Sequence, residues 1–577
     1  MTQRPDLRLS TLRSDYLAGR CSPRQLLTEI LARIPQHAAD NIWIRALTAA
    51  ELEPYLRALE LRAPAELPLY GIPFAIKDNI DLAGVPTSAG CPEYAYLPQR
   101  SAHVVECLIA AGAVPVGKTN LDQFATGLVG VRSPYGATRN SIDPAYISGG
   151  SSSGSAVAVA HGLASFALGT DTAGSGRVPA AYNELLGLKP SKGLLSTRGV
   201  VPACRSLDCV SIFGLDAADV DVVLAVAADF DPVDPYAREL VLEARAAPAS
   251  FRFGVPRPDQ LTFDGDQGAA ALYAGAVQRL TAAGGEPIEL DFEPYLAAAR
   301  LLYEGPWVAE RYAAIRPFIE TRPDALLPVI RSIIEPAGEL RAVDAFAAQY
   351  RLAELKRAAD AELARVDLIL MPTAPTIYTI AQVQADPIAL NSRLGTYTNF
   401  MNLLDYAALS IPAGRLPSGL PWGVTLLSWS GSDRRLLALA ERYAAVPEPQ
   451  YLELAVCGAH LAGLALNHQL TERGASLVAV TRTAPRYRLY ALAGGPPARP
   501  GLVRDESAGA TVEVELWRMP LAAFGGFMAG IPAPLGIGSL ELADGRWVKG
   551  FICEPYALGT AMDVTRYGGW RAYLAER

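Results

Sequence analysis

Two serine-rich segments and one lysine are the residues whose types and spacing could carry out chemistry together. The segments are Gly-Gly-Ser-Ser-Ser-Gly-Ser at residues 149–155 and Gly-Thr-Asp-Thr-Ala-Gly-Ser at residues 169–175, and the lysine is Lys77. A serine hydroxyl attacks an acyl carbon only when a base accepts its proton, and that base is usually histidine. Of the chain's five histidines, His161 alone lies near these segments, after an Ala/Val-rich run where we expect it to pack. The pattern predicts a serine hydrolase without a histidine base.

Lys77 is the candidate base. It follows the apolar stretch 72–76, which predicts a buried strand. Burial disfavours the charged ammonium form, so a lysine in such a place can be neutral near pH 7 and accept a proton.

These segments resemble the amidase signature family, whose members use a Ser-cisSer-Lys triad. The resemblance implies that Ser175 is the nucleophile, that Ser151 is a bridging serine after a cis peptide bond from Gly150, and that Lys77 is the base. It implies neither a metal nor a cofactor. It also implies that backbone N–H groups of the turn before the nucleophile bind the acyl oxygen. The turn residues are Thr172, Ala173 and Gly174.

The family comparison also makes Asp171 and Arg177 a buried ion pair that supports the nucleophile turn. The resemblance extends to residues 371–375 and 397–414, so it spans about three quarters of the chain.

The predicted fold is α/β, with a mixed sheet covered by helices and a smaller C-terminal α+β domain. Helical patterns alternate with short apolar strands in the first part, which is typical of such a sheet. Residues 155–168 predict one long helix beneath the site, and the helical pattern of 298–319 is broken at Gly305 and Pro306. Pro447 precedes a change to short β-rich runs, so we place the domains at 1–446 and 447–577.

Within the family, the chain resembles the allophanate hydrolases at residues 171–179, 302–312 and 455–461. The resemblance implies that Tyr303 and Arg311 bind the substrate, and a guanidinium suits a carboxylate because it offers two parallel donors. The implied reaction is hydrolysis of the terminal amide of allophanate, which releases ammonia and N-carboxycarbamate.

The C-terminal domain resembles the γ-glutamylcyclotransferase-like fold, a small mixed barrel with a pocket after its first strand. The resemblance implies that it promotes decarboxylation of the first product, with His460 as the acid/base residue. The free imidazole titrates near pH 6.5, which suits proton transfer in both directions. Other side chains could attract the dianionic product, namely Arg482, Arg488 and Tyr490.

The net charge and the apolar runs of the chain limit its possible partners and location. A net charge of −8 without a long basic run argues against nucleic acid and anionic membranes. The chain shows no apolar signal segment and no membrane-length apolar run, so we expect a cytoplasmic protein. Its substrate is a small molecule, and the resemblance implies a link to a urea carboxylase and a homodimer. The alternatives are an amidase for another amide, a noncatalytic scaffold and an amidotransferase subunit.

Overall fold

The computed structural model describes residues 6–448 and 450–576, and the chain divides into two compact units, Met1–Val446 and Pro447–Arg577. Each unit has hydrophobic clusters formed from its own residues. No helix in the described parts of the chain combines the length and the apolar character needed to cross a membrane.

The first unit is built on one large mixed sheet. Over residues 6–448 this sheet has eleven strands in the order β1-β3-β2-β4-β6-β5-β10-β11-β9-β7-β8. The strands are β1 Trp43–Ala46, β2 Pro73–Lys77, β3 Val114–Thr119, β4 Phe166–Asp171, β5 Leu186–Lys189, β6 Cys209–Gly214, β7 Phe251–Pro256, β8 Gly285–Leu290, β9 Leu368–Pro372, β10 Tyr406–Arg415 and β11 Pro421–Trp429.

Helices cover this sheet. They are α1 Leu9–Leu17, α2 Pro23–Arg33, α3 Ala49–Glu60, α4 His103–Ala110, α5 Ser153–Ala160, α6 Val178–Tyr182, α7 Ala217–Ala227, α8 Gln267–Ala282, α9 Glu293–Glu304, α10 Trp307–Thr321, α11 Pro328–Ile334, α12 Ala342–Leu363, α13 Ile380–Ala385, α14 Ala389–Leu394, α15 Phe400–Leu403 and α16 Asp433–Ala445. Local signals begin several of them: Ser22 and Thr48 each accept from the backbone N–H three residues later, in capping boxes that start α2 and α3.

Strand β2 pairs in parallel with both β3 and β4, so the three strands end at the same edge of the sheet. All five residues of β2 and all six of β4 are buried. Sites in α/β sheets form beyond the carboxyl ends of parallel strands. Lys77 is the last residue of β2, and the predicted nucleophile follows the end of β4, so both lie at this edge.

The predicted helix over 155–168 is wrong in its extent. Helix α5 ends at Ala160, and the left-handed Gly162, with φ of 63°, follows it while Leu163 N–H donates back to the carbonyl of Ala158. Residues 166–168 instead form the start of β4. The predicted break at Gly305 and Pro306 is confirmed, because it separates α9 from α10.

The second unit is a smaller α+β structure, as predicted. Its strands form a five-stranded sheet, β13-β16-β12-β18-β17, and a three-stranded sheet, β15-β14-β19. The strands are β12 Tyr451–Val456, β13 Ser476–Arg482, β14 Tyr487–Ala491, β15 Pro500–Arg504, β16 Glu513–Pro520, β17 Leu535–Glu541, β18 Trp547–Cys553 and β19 Met562–Asp563, and the helices are α17 His468–Thr471, α18 Leu521–Ala529 and α19 Trp570–Ala575.

Candidate active site

Lys77, Ser151 and Ser175 form a continuous hydrogen-bonded chain at the carboxyl edge of the first sheet. Lys77 Nζ donates to Ser151 Oγ at 2.7 Å, and Ser151 Oγ donates to Ser175 Oγ at 3.0 Å. The first two side chains are fully buried, and Ser175 is 3% exposed. The peptide bond between Gly150 and Ser151 is cis. The structure therefore brings together the three residues that the sequence singled out, with the bridging serine between the other two.

Lys77 is buried and its amine is hydrogen-bonded to hydroxyl groups. Its Nζ also donates to Thr170 Oγ1 at 2.7 Å, a contact that the sequence did not indicate. Burial lowers the pKa of Lys77 to about 7, while the carboxylates of Asp122, Asp208 and Asp171 act in the opposite direction. An amine whose pKa is lowered this far can be neutral near pH 7 and accept a proton.

The backbone of residues 129–132 packs closely against the residue before the bridging serine. Asp122 accepts hydrogen bonds from the backbone N–H groups of Val129, Gly130 and Arg132. These bonds fold the chain against Gly150, where an added Cβ would lie 2.5 Å from the Gly130 nitrogen. The glycine before Ser151 is required because the backbone leaves no space for a side chain. Sequence reasoning missed Asp122, whose role depends on contacts across the loop.

The nucleophile turn is organised by the predicted buried ion pair, which the structure confirms. Arg177 donates to both carboxylate oxygens of Asp171, at 2.9 and 3.0 Å, and both side chains are fully buried. The same carboxylate accepts from the N–H groups of Gly174 and Gly176 at 2.9 and 3.1 Å. The N–H of Gly174 therefore donates to Asp171 in this structure, and its expected role as a donor to the acyl oxygen stays a prediction.

Thr172 and Ala173 remain the candidate backbone donors of this turn. The Thr172 hydroxyl donates to Asp208, which also accepts from the N–H groups of Ala203 and Cys204. Burial raises the pKa of Asp208 to about 6. Asp208 thus connects the turn to residues 203 and 204. No signal in the sequence pointed to this carboxyl.

Arg311 and Tyr303 lie together despite the break between their helices. Arg311 Cζ lies 5.6 Å from the centre of the Tyr303 ring, and Arg311 is 3% exposed. Its Nη1 donates to the Ala125 carbonyl at 3.3 Å and to Thr126 Oγ1 at 3.1 Å. Within residues 6–448, its Nε and Nη2 make no hydrogen bond, so two donor nitrogens are left for a ligand.

One short loop connects this arginine to the nucleophile. Arg311 binds residues 125 and 126, and Ser175 Oγ donates to the carbonyl of Gly127 at 3.3 Å. Tyr303 also lines a cavity of about 360 Å³ together with Arg132 and Asn391. A cationic group and the candidate nucleophile thus contact the same run of three consecutive residues.

In the second unit, His460 lies on the loop after β12, as predicted. Its Nε2 lies 3.1 Å from Gln469 Oε1, and its ring stacks on Phe551 with centroids 5.0 Å apart. Burial lowers the pKa of His460. The loop is fixed by Glu515, which accepts from Ala462 N–H at 2.8 Å. The imidazole borders a narrow cleft of about 30 Å³.

The chain matches two family models, Amidase over residues 25–437 and Allophanate hydrolase C-terminal domain over residues 452–575. It belongs to the amidase family, and the predicted resemblances to that family and to the allophanate hydrolases are confirmed.

Relatives and solved structures give the same grouping. Urea amidolyase from Saccharomyces cerevisiae is 44% identical over 95% of this chain and 32% of the relative, so the chain spans about a third of that protein's length. A glutamyl-tRNA(Gln) amidotransferase subunit from Treponema denticola is 33% identical over 66% of this chain and 84% of the relative. The structure of Kluyveromyces lactis allophanate hydrolase matches with a TM-score of 0.71 at 40% identity, covering 98% of this chain and 99% of that one.

Proposed function

We propose that this protein is an allophanate hydrolase. The observation that carries the proposal is the buried hydrogen-bond chain from Lys77 through Ser151 to Ser175, with Arg311 bound to the same short segment as the nucleophile. The likeness to Kluyveromyces lactis allophanate hydrolase extends along both units and supports the same substrate.

In the proposed first reaction, Ser175 attacks the terminal amide carbon of allophanate. Its proton passes to Ser151 Oγ, whose own proton passes to neutral Lys77. The negative oxygen that develops accepts hydrogen bonds from the turn at Thr172 and Ala173, and one such donor is worth about 3 kcal/mol of barrier. When the C–N bond breaks, Lys77 returns the proton through Ser151 to the leaving ammonia. Water then attacks the acyl-enzyme by the same relay and releases N-carboxycarbamate.

Substrate selection rests on the carboxylate of allophanate. A buried guanidinium with two unused donor nitrogens, Nε and Nη2, suits a planar anion, and Tyr303 covers one face of that guanidinium. An uncharged amide would leave these buried donors unpaired, which costs binding energy.

In the proposed second reaction, the C-terminal unit promotes loss of carbon dioxide from N-carboxycarbamate, with His460 moving the proton. The urea amidolyase relatives are about three times longer than this chain, which supports a functional link to a urea carboxylase. We propose a homodimer in the cytoplasm as the working form, which sedimentation of the purified protein and localisation of a tagged chain would test.

The deciding experiment measures ammonia release from allophanate and from a panel of uncharged amides that includes glutamine. We expect turnover of allophanate alone, with Ser175→Ala as the inactive control. Turnover of glutamine instead would favour the amidotransferase alternative, to which the Treponema relative points.

A further inference from the structure

Arg499 occupies an unusual position in the second unit. It lines both the narrow cleft beside His460 and an adjoining cavity of about 390 Å³. Leu535 is the other residue shared by the two walls. A ligand that extends from His460 into the larger cavity passes these two shared residues.

Arg499 is half-buried. Within residues 450–576 its guanidinium makes no ion pair and no hydrogen bond. Among the described residues that line the two cavities, it is the only one with a permanent charge. An arginine placed so, without a carboxylate beside it, is suited to bind an anionic ligand.

The arginines that the sequence suggested for this role are engaged elsewhere. Arg488 is ion-paired with Asp563 and lies 3.5 Å from a carboxylate oxygen of Asp505. Arg482 donates to Thr511 at 3.4 Å and lines neither cavity. Their charges are therefore neutralised or lie away from His460, whereas the charge of Arg499 adds to burial in lowering the pKa of that histidine.

We propose that Arg499 binds a carboxylate of the product made by the first unit and holds its nitrogen against His460. This proposal rests on the function proposed above. His460 gives a proton to that nitrogen while the C–N bond to one carboxylate breaks, its electron pair stays on nitrogen, and carbon dioxide leaves. The remaining carbamate keeps its carboxylate on Arg499, and His460 regains a proton from water.

The test uses the full-length chain with Arg499→Met and Arg499→Lys. Ammonia and carbon dioxide release from allophanate are followed separately at early times, with His460→Ala defining the unassisted rate of decarboxylation. We expect Arg499→Met to keep the first ammonia release within about twofold while enzyme-dependent carbon dioxide release falls at least about tenfold, and Arg499→Lys to be intermediate. Arg482→Met is the matched control and should behave as the unaltered protein.

The outcomes separate the two proposals. Carbon dioxide release at the full rate in Arg499→Met, with a loss in His460→Ala, would overturn the role of Arg499 alone. If neither variant slowed carbon dioxide release, the proposed role of the C-terminal unit in decarboxylation would be wrong. Malonate binding would then test the carboxylate site at Arg499 separately. The Arg311→Ala variant lacks the proposed carboxylate site of the first unit. Titration calorimetry should detect malonate binding to this variant and none to the double variant Arg311→Ala, Arg499→Met. Binding that persists would contradict the proposed carboxylate site.

Discussion

Lys77 donates a 2.7 Å hydrogen bond to Ser151, and both side chains are completely buried. An amine in this position is expensive to keep charged, since the surrounding residues replace water without pairing it directly with a carboxylate. Burial in β2 lowers the pKa of this amine, and in the proposed mechanism its neutral form activates the serine pair.

Replacing this amine should abolish activity without unfolding the protein. Lys77→Met keeps the apolar stem and removes the base, so we expect kcat for ammonia release to fall by about 10³-fold or more. Thermal inactivation is not informative for a dead enzyme, so folding is checked by circular dichroism and by thermal unfolding. A kcat near normal would exclude Lys77 as the base.

Activity should rise with pH through about 7. The neutral form of Lys77 is the active one, and its pKa is lowered to about 7, so kcat/KM should fall about tenfold per pH unit well below that value. The charge of Arg311 helps to lower this pKa, so Arg311→Ala should move the midpoint to higher pH. A profile that is flat between pH 5 and 8 would contradict this account.

Arg311 should set the preference for a carboxylated substrate. Arg311→Ala should raise KM for allophanate by about 10²-fold, the equivalent of losing a charge-assisted pair of about 3 kcal/mol, and should change KM for an uncharged amide far less. Arg316→Ala, on the same helix but exposed and paired with Glu320, is the matched control. Equal effects of Arg311→Ala on both substrates would remove it from the carboxylate site.

Gly150 should tolerate no side chain. In Gly150→Ala the added Cβ would press on the backbone of Gly130, which we expect to cost about 1–3 kcal/mol and to lower the midpoint of thermal unfolding measured by circular dichroism. Gly525→Ala, where the added Cβ meets no atom within 4 Å, should not lower that midpoint. Equal midpoints for the two variants would show that the backbone leaves room for a side chain at Gly150.

The first unit should work alone. Its described residues form hydrophobic clusters of their own, so a chain that ends at Val446 should fold and release the first ammonia at a rate within about threefold of the full protein. Carbon dioxide release should then fall to the rate seen with His460→Ala. A truncated chain that folds but releases no ammonia would show that the units are not independent.

Sequence reasoning succeeded where chemistry lies in contiguous motifs. The strand ending at Lys77 and the two serine segments were predicted because each carries its own local pattern. It failed where a partner is distant in sequence: nothing near Asp122 or Asp208 indicates that the fold brings them to the site. The helix after Ser155 was predicted too long because apolar composition does not distinguish a buried helix from a buried strand. The hydrogen bond from Gly174 N–H to Asp171 was not predicted either, because its acceptor depends on the side-chain position of Asp171.

The titration of Lys77 itself tests the central claim most directly. In protein labelled with ¹³C and ¹⁵N at the lysine side chains, the Lys77 signal is assigned by its loss in Lys77→Met and followed from pH 5 to 11. The account predicts a midpoint near pH 7, with a neutral amine above it. A midpoint near 10, as in an exposed lysine, would contradict the proposal that this amine is the base.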